Sequence, residues 1–202
     1  SGAQTQVLFG PHSALSDNNS VNEAILFDRT QPVKGKKTLR SRWELMQSTR
    51  QSAKGRTLAP IQRNGSVIWP YELASQNLWA AKDVFSLATR CYGMHSKMTP
   101  VRFAANGPVP DVMHWTVPLP LYAEDRPNIV TIHDMIPLRL PYTTSNNRDA
   151  FKRLHQDSAD RADHIAVVSE ATRQDVIALL KVPEDKVSVT YQSVSIPAFS
   201  AA

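Results

Sequence analysis

Hydrophobic positions follow a different rhythm in the two halves of this chain. From residue 101 onward, short apolar runs alternate with helical patterns. Residues 101–104, 111–115, 129–132, 165–168 and 187–191 are predicted strands. The runs at 129–132 (Ile129, Val130, Thr131, Ile132) and 165–168 are unbroken. That fits strands buried on both faces, as in a parallel sheet, better than half-exposed ones. Between them, residues 148–162 read as a helix with Phe151, Leu154 and Ala159 inward, and 171–180 as another. A turn at Pro183-Glu184-Asp185 leads to the last strand. Repeated β-α-β units of this length predict an α/β fold built on a doubly wound parallel sheet.

The first half is less regular. Residues 24–27 are a predicted first strand, and 41–53 a helix with Trp43, Leu45 and Met46 as its apolar members and Gly55 just beyond. The apolar run at 67–69 is cut by Pro70. Residues 71–92 carry the longest helical pattern, with Leu73, Leu78, Trp79, Val84, Phe85, Leu87 and Ala88 at mixed spacings of three and four. Residues 1–22 are polar and contain Ser16-Asp17-Asn18-Asn19-Ser20, so they are expected to be a loop or disordered lead-in. Residues 23–197 are then expected to form one domain.

Composition narrows the class without changing the picture. With 202 residues, 42% apolar and 20% charged, the chain has the profile of an ordinary globular domain. No apolar run approaches the roughly 18 residues that a membrane span needs, and no secretory signal is visible. The single cysteine, Cys91, excludes an internal disulfide, suits a reducing cytoplasm and is expected to pack on a helix.

Charge adds one feature. Between Lys34 and Arg63 nine basic residues stand against one acid, Glu44, a local excess of +8 in a chain of net +5. Lys34, Lys36, Lys37, Arg40 and Arg42 lead this stretch, which is either a solvated basic surface or a contact for an anionic partner such as lipid headgroups or a diphosphate. Nucleic acid is not expected, because no recognised module with interleaved aromatics accompanies the charge.

Candidate chemistry collects where the predicted strands end. In a parallel sheet the carboxyl ends share one edge, so His114-Trp115, His133-Asp134, Ser169-Glu170 and Gln192-Ser193 are expected to be neighbours. Each has a plain alternative. His133 is a site residue or a core histidine bonded to backbone; Asp134 caps the next turn or takes part in the chemistry. Ser169 and Glu170 are placed to cap the helix that begins there. His114 beside Trp115 stacks on a sugar ring or packs. A His-Asp phosphohydrolase is disfavoured, because its ligands lie on helices and this pair follows a β-branched strand. No cysteine cluster or His-x-x-x-His spacing supports zinc, and no Gly-rich phosphate loop or Gly-x-Ser-x-Gly elbow occurs.

Three segments then resemble a known family. DVMHWTVPLPLY, NIVTIHDMIPLRLPYTT and ADHIAVVSEATRQDVIALLKVPEDKVSVTYQSVSIP succeed one another across about residues 111–197. In order and spacing they resemble the amino-terminal domain of family 4 glycosyltransferases of the GT-B fold. The resemblance implies a Rossmann-like domain, single in this chain and half of a two-domain enzyme. The amino-terminal half binds the acceptor, and a carboxyl-terminal half, expected to be absent here, binds the nucleotide-sugar donor. Transfer would retain anomeric configuration, with no cofactor and no required metal. On this resemblance His133 is the active-site histidine that contacts the donor sugar. His114 lies near the acceptor, and Ser169-Glu170 matches the family's serine-glutamate at a strand end. Trp115, Asp134 and Gln192 join them as substrate-binding candidates. The family's two glutamates eight apart belong to the other half, and no glutamate here has a second one eight residues on. The implied acceptor is a glycan or a lipid-linked sugar, which makes the location cytoplasmic or peripheral at the inner membrane face. Two other functions share these features: half of a GT-B nucleotide-sugar epimerase, and a stand-alone glycan- or lipid-binding domain.

Overall fold

The structure, a computed structural model, describes residues 4–16, 22, 25–26, 39–63, 77–143 and 147–193. The described residues fall into two compact units, one within 1–113 and 119–127, the other within 114–118 and 128–202. In chain order the elements begin with β1 (Val7–Phe9), α1 (Leu39–Lys54), β2 (Arg56–Gln62), β3 (Asn77–Ala80), α2 (Val84–His95) and β4 (Thr99–Phe103). Next come β5 (Met113–Trp115), β6 (Leu121–Ala123), β7 (Asn128–Ile132), α3 (Ile136–Arg139) and α4 (Arg148–Arg161). The chain continues through β8 (His164–Val167), α5 (Glu170–Leu180) and β9 (Val187–Val189). This is the expected α/β class with parallel-rich sheets.

The first unit is built on a five-stranded sheet in the order β1-β3-β2-β4-β6. Its pairs are parallel except β2 with β3, where Ala59 to Gln62 run antiparallel to Ala80 to Asn77. One face is packed by Ile61, Leu78 and Ala80 with Val7, Phe9, Leu15 and Leu26. On the other, Trp79 meets Phe103 edge-on, with ring centres 4.9 Å apart. Successive residues of β3 thus enter opposite faces, and Leu78, Trp79, Ala80 and the next residue, Ala81, are all buried.

That burial corrects the helix expected at 71–92. Residues 77–80 are a strand, the helix α2 covers only Val84–His95, and 71–76 lie outside the described residues. Four consecutive buried positions cannot form one helical stripe, whereas a strand between two packed layers needs them. The polar lead-in is corrected too: Val7–Phe9 pairs in parallel with β3 from Leu78 to Ala80. At 24–27, Ile25 is helical and Leu26 lies in a turn, so no strand runs through them; Ala24 and Phe27, like the run at 67–69, lie outside the described residues.

β2 was not expected at all, because Pro60 interrupts it. Pairing with β4 covers only Arg56 to Leu58, so the proline sits where β2 is flanked by β3 alone and one ladder donor is dispensable. Gly55 turns the chain from α1 into β2 with φ 117°, a backbone that L side chains avoid. A Cβ there would also lie 2.5 Å from the Arg102 guanidinium. Between α1, α2 and β4, Ser52 bonds Thr99 at 3.1 Å, and Thr49 bonds His95 at 3.2 Å. Cys91 is buried on α2 as expected, and burial raises its thiol pKa, opposed by Thr99 and Lys97.

The second unit carries the four-stranded order β5-β7-β8-β9. β7 pairs in parallel with β8 and β8 with β9. β7 alternates, with Asn128, Val130 and Ile132 buried and Ile129 and Thr131 half-buried, so it is less enclosed than its composition suggested. Asn147 caps α4 by accepting from the Ala150 amide, and Gln156 of α4 reaches the Leu180 carbonyl at the end of α5. No helix among the described residues is long and apolar enough to cross a membrane.

Candidate functional site

The strand exits of the second unit meet as a consequence of register. Ile132 lies opposite Val167, and Val167 opposite Val189, so the carboxyl ends of β7, β8 and β9 open on one edge. His133 is the first residue past β7. It is fixed on both sides by buried neighbours, Ile132 before it and Met135 after it. Asp134 sets the turn between them: its Oδ1 accepts the Ile136 amide at 2.9 Å, and Pro137 comes next in the first turn of α3, where no amide is needed.

Both the ring and the backbone of His133 are held. Nε2 lies 2.9 Å from the Thr116 carbonyl, which can only accept, so Nε2 carries the hydrogen and Nδ1 is left as an acceptor. The His133 carbonyl accepts from Thr172 Oγ1 at 3.2 Å. Thr172 Oγ1 lies 2.9 Å from Ser169 Oγ, which also accepts the Thr172 amide at 3.1 Å. Because Thr172 spends its hydroxyl hydrogen on His133, the Ser169 hydroxyl donates to Thr172. Ser169 therefore caps α5 and steadies His133 through one shared neighbour. The ring itself is exposed.

His114 stands on β5, also exposed, with Nε2 2.8 Å from Thr131 Oγ1. The pairs His114 with Thr131 and Thr116 with His133 are both 17 residues apart, the constant offset of a parallel register. Register thus links His114, His133 and Ser169. The other candidates are placed differently. Glu170 is exposed and lies 3.3 Å from Arg173, which also reaches Glu184. Gln192 is exposed beyond β9, and among the described residues no hydrogen bond ties it to the other exits. Trp115 is buried, with its indole N–H donated to Asn128 Oδ1 at 2.9 Å. Burial and this bond give the ring a part in the fold, beside its expected place among the substrate contacts.

Thr116 and Thr172 were not anticipated, although they hold the central histidine. Neither occupies a strand exit with an obvious role, and only the register brings them to His133. The histidine that fits a core description is His155 instead. It is buried on α4, stacked on Phe151 at 3.7 Å, and donates Nδ1–H to the Phe151 carbonyl at 2.9 Å. Burial lowers its pKa, against the opposing effects of that bond and of Asp134. Among the described residues no three His, Cys, Asp or Glu side chains gather as a metal-binding group.

Of the basic stretch, Arg42 is exposed on α1 beside Trp43, itself 55% exposed. The backbone of Arg40 is helical, and Lys34, Lys36 and Lys37 lie outside the described residues.

No curated protein matches this chain. The family model described as Glycosyltransferase Family 4 matches residues 77–196, which include α2, β4 to β9 and every strand exit named above. The match covers more than half of the 202 residues, so the chain belongs to glycosyltransferase family 4 and carries a glycosyltransferase domain.

Proposed function

We propose that this chain is the acceptor-side domain of a retaining glycosyltransferase, moving a sugar from a nucleotide-sugar donor to a glycan or lipid-linked acceptor. The observation that carries the reading is His133. An exposed imidazole at a parallel strand's carboxyl end is held with Nε2 as donor to protein, which leaves Nδ1 as the acceptor of the neutral ring. Such a group would accept from a sugar hydroxyl without reorienting, and it raises turnover to the extent that this bond strengthens as the sugar becomes oxocarbenium-like. His114 would contact the acceptor. Asp134, Ser169, Glu170 and Gln192 would line or support the same edge. Sugar transfer requires stabilisation of an oxocarbenium-like carbon and a departing diphosphate. In this reading the diphosphate itself takes the acceptor's proton, no residue of this chain is a nucleophile, and neither metal nor cofactor is required. A donor-binding half carrying the paired glutamates would complete the enzyme, and this domain alone would be silent.

The test is His133→Ala in a preparation that includes the donor-binding half. Losing one positioning bond at the reacting sugar is expected to lower turnover by roughly tenfold or more. The unfolding temperature should be unchanged, because the ring is exposed. Unchanged turnover, or a large fall in unfolding temperature, would assign His133 to the fold instead.

The basic stretch suits a lipid-linked acceptor at an anionic membrane. Each Lys or Arg held near such a surface contributes about 1 kcal/mol, screened by salt. Arg42 and Trp43 on α1 supply a cation and an exposed aromatic for such contact. Charge reversal at Lys36, Lys37 and Arg40 is expected to reduce co-sedimentation with anionic vesicles at low salt. Equal binding to neutral vesicles would return the stretch to a solvated surface.

A further inference from the structure

The first unit contains a second histidine-carboxylate arrangement. β1 and β3 are parallel, so their exits leave the sheet side by side. The ladder extends past its last pair, with the Ala81 amide donating to Phe9 O at 3.3 Å and the Asp83 amide to Pro11 O at 2.8 Å. This brings His12 against Asp83, with Nδ1 2.6 Å from Oδ1. Gly10 lets the loop lie directly on α2, since a Cβ there would stand 2.6 Å from the Phe85 ring. Arg56 holds the other side by donating to the Lys82 carbonyl at 2.8 Å.

Asp83 is held in an uncommon way. It occupies the position before α2, where an aspartate ordinarily accepts an amide of the first turn, yet its side chain makes no capping bond. Its backbone is left-handed, with φ 52° and ψ 22°. The carboxylate faces His12 instead, with the Ser86 hydroxyl 3.4 Å away. A carboxylate accepts, so His12 donates from Nδ1, and in the neutral ring Nε2 is then the acceptor. The imidazole is 40% exposed, and among the described residues Nε2 has no hydrogen-bond partner.

We infer that His12, oriented by Asp83, is a binding residue for a hydroxyl group of a carbohydrate ligand, accepting the O–H at Nε2. The inference rests on the sugar-transferase reading for its ligand class, because a glycan offers hydroxyl donors in abundance. Asp83 is the positioning residue: it fixes which ring nitrogen accepts. A pair serving only to join β1 to β3 would not need Nε2 open to solvent.

Two substitutions separate binding from folding. His12→Asn keeps a donor near the Nδ1 position but removes the Nε2 acceptor. Asp83→Asn tolerates the left-handed backbone, but its amide N–H can donate to Nδ1 and convert Nε2 into a donor. Long-range 1H–15N NMR of the 202-residue chain reads the tautomer directly, and titration with methyl glucoside, methyl galactoside and methyl mannoside reads the ligand. The expected result is Nδ1–H in the wild type, with at least one glycoside shifting the His12 ring and the Ser13 and Asp83 amides. In both variants the glycoside should bind about three- to tenfold more weakly, with the unfolding temperature retained. Nε2–H in the wild type overturns the assignment, as does undiminished glycoside binding in His12→Asn or a response to inorganic phosphate alone. A glycoside that perturbs His133 but not His12 also overturns it, while leaving the proposed function standing.

Discussion

Trp79→Ala is expected to lower the stability of the first unit by about 3–5 kcal/mol, the usual cost of emptying a large buried aromatic site. Trp79 is 1% exposed at the middle of β3. It packs on Phe103 across the sheet face, and its indole N–H donates to Gln6 at 2.5 Å. The site is also tightly lined, since even a Cβ on Gly107 would come within 3.1 Å of the indole. Phe103 on β4 and Pro60 on β2 are both held in the sheet, so they cannot both move inward to fill the void. Hydrogen exchange at the Ile61 and Leu78 amides measures the loss, with Val130 and Ile165 amides as the comparison. A change below about 1 kcal/mol would mean that this face repacks around the vacancy.

Asn128→Leu is the second large effect, and it acts through a polar group. Asn128 is 5% exposed at the start of β7, and its Oδ1 accepts the buried Trp115 N–H at 2.9 Å. Its backbone is bonded separately: the amide donates to Asp163 Oδ2 at 2.7 Å, and the carbonyl accepts the Asp163 amide at 2.8 Å. Leucine fills a similar volume and keeps both backbone bonds, but strands the indole N–H at a cost of about 1–3 kcal/mol. Adding Trp115→Phe should recover part of that loss, because the unpaired donor is then gone. Denaturant unfolding of both single variants and the double variant measures the coupling. Additive effects would show that the Trp115–Asn128 bond contributes nothing specific.

The second unit was the legible part of this chain. β7, β8, α4 and α5 announce themselves through β-branched runs, a capping Ser169 and turns rich in proline and acid, all local signals. His133 and Ser169 stand out in the sequence because each is a polar residue directly past an apolar run. The first unit was harder because its decisive contacts are distant in sequence. Leu78 and Trp79 look alike on a helical wheel and differ only in which face of the sheet receives them. β1 is three residues long and acquires its meaning from β3 some seventy positions later. β2 was hidden by Pro60, whose acceptability depends on where β4 stops. At the site, Thr116 and Thr172 are invisible for the same reason, and the bond that ties Trp115 into the fold is hidden because its partner Asn128 belongs to a different strand.

The solitary thiol of Cys91 gives the first unit a chemical clock. Its sulfur is enclosed on α2 and donates to the Lys97 carbonyl at 3.5 Å, and its ionisation is suppressed by burial. A maleimide needs an accessible thiolate, so modification waits for α2 to lift from β4. With one cysteine in the chain, the rate of mass gain counts those openings without any engineered label. Any ligand that tightens the start of α2, at Asp83, would slow that clock even if it never comes near the sulfur.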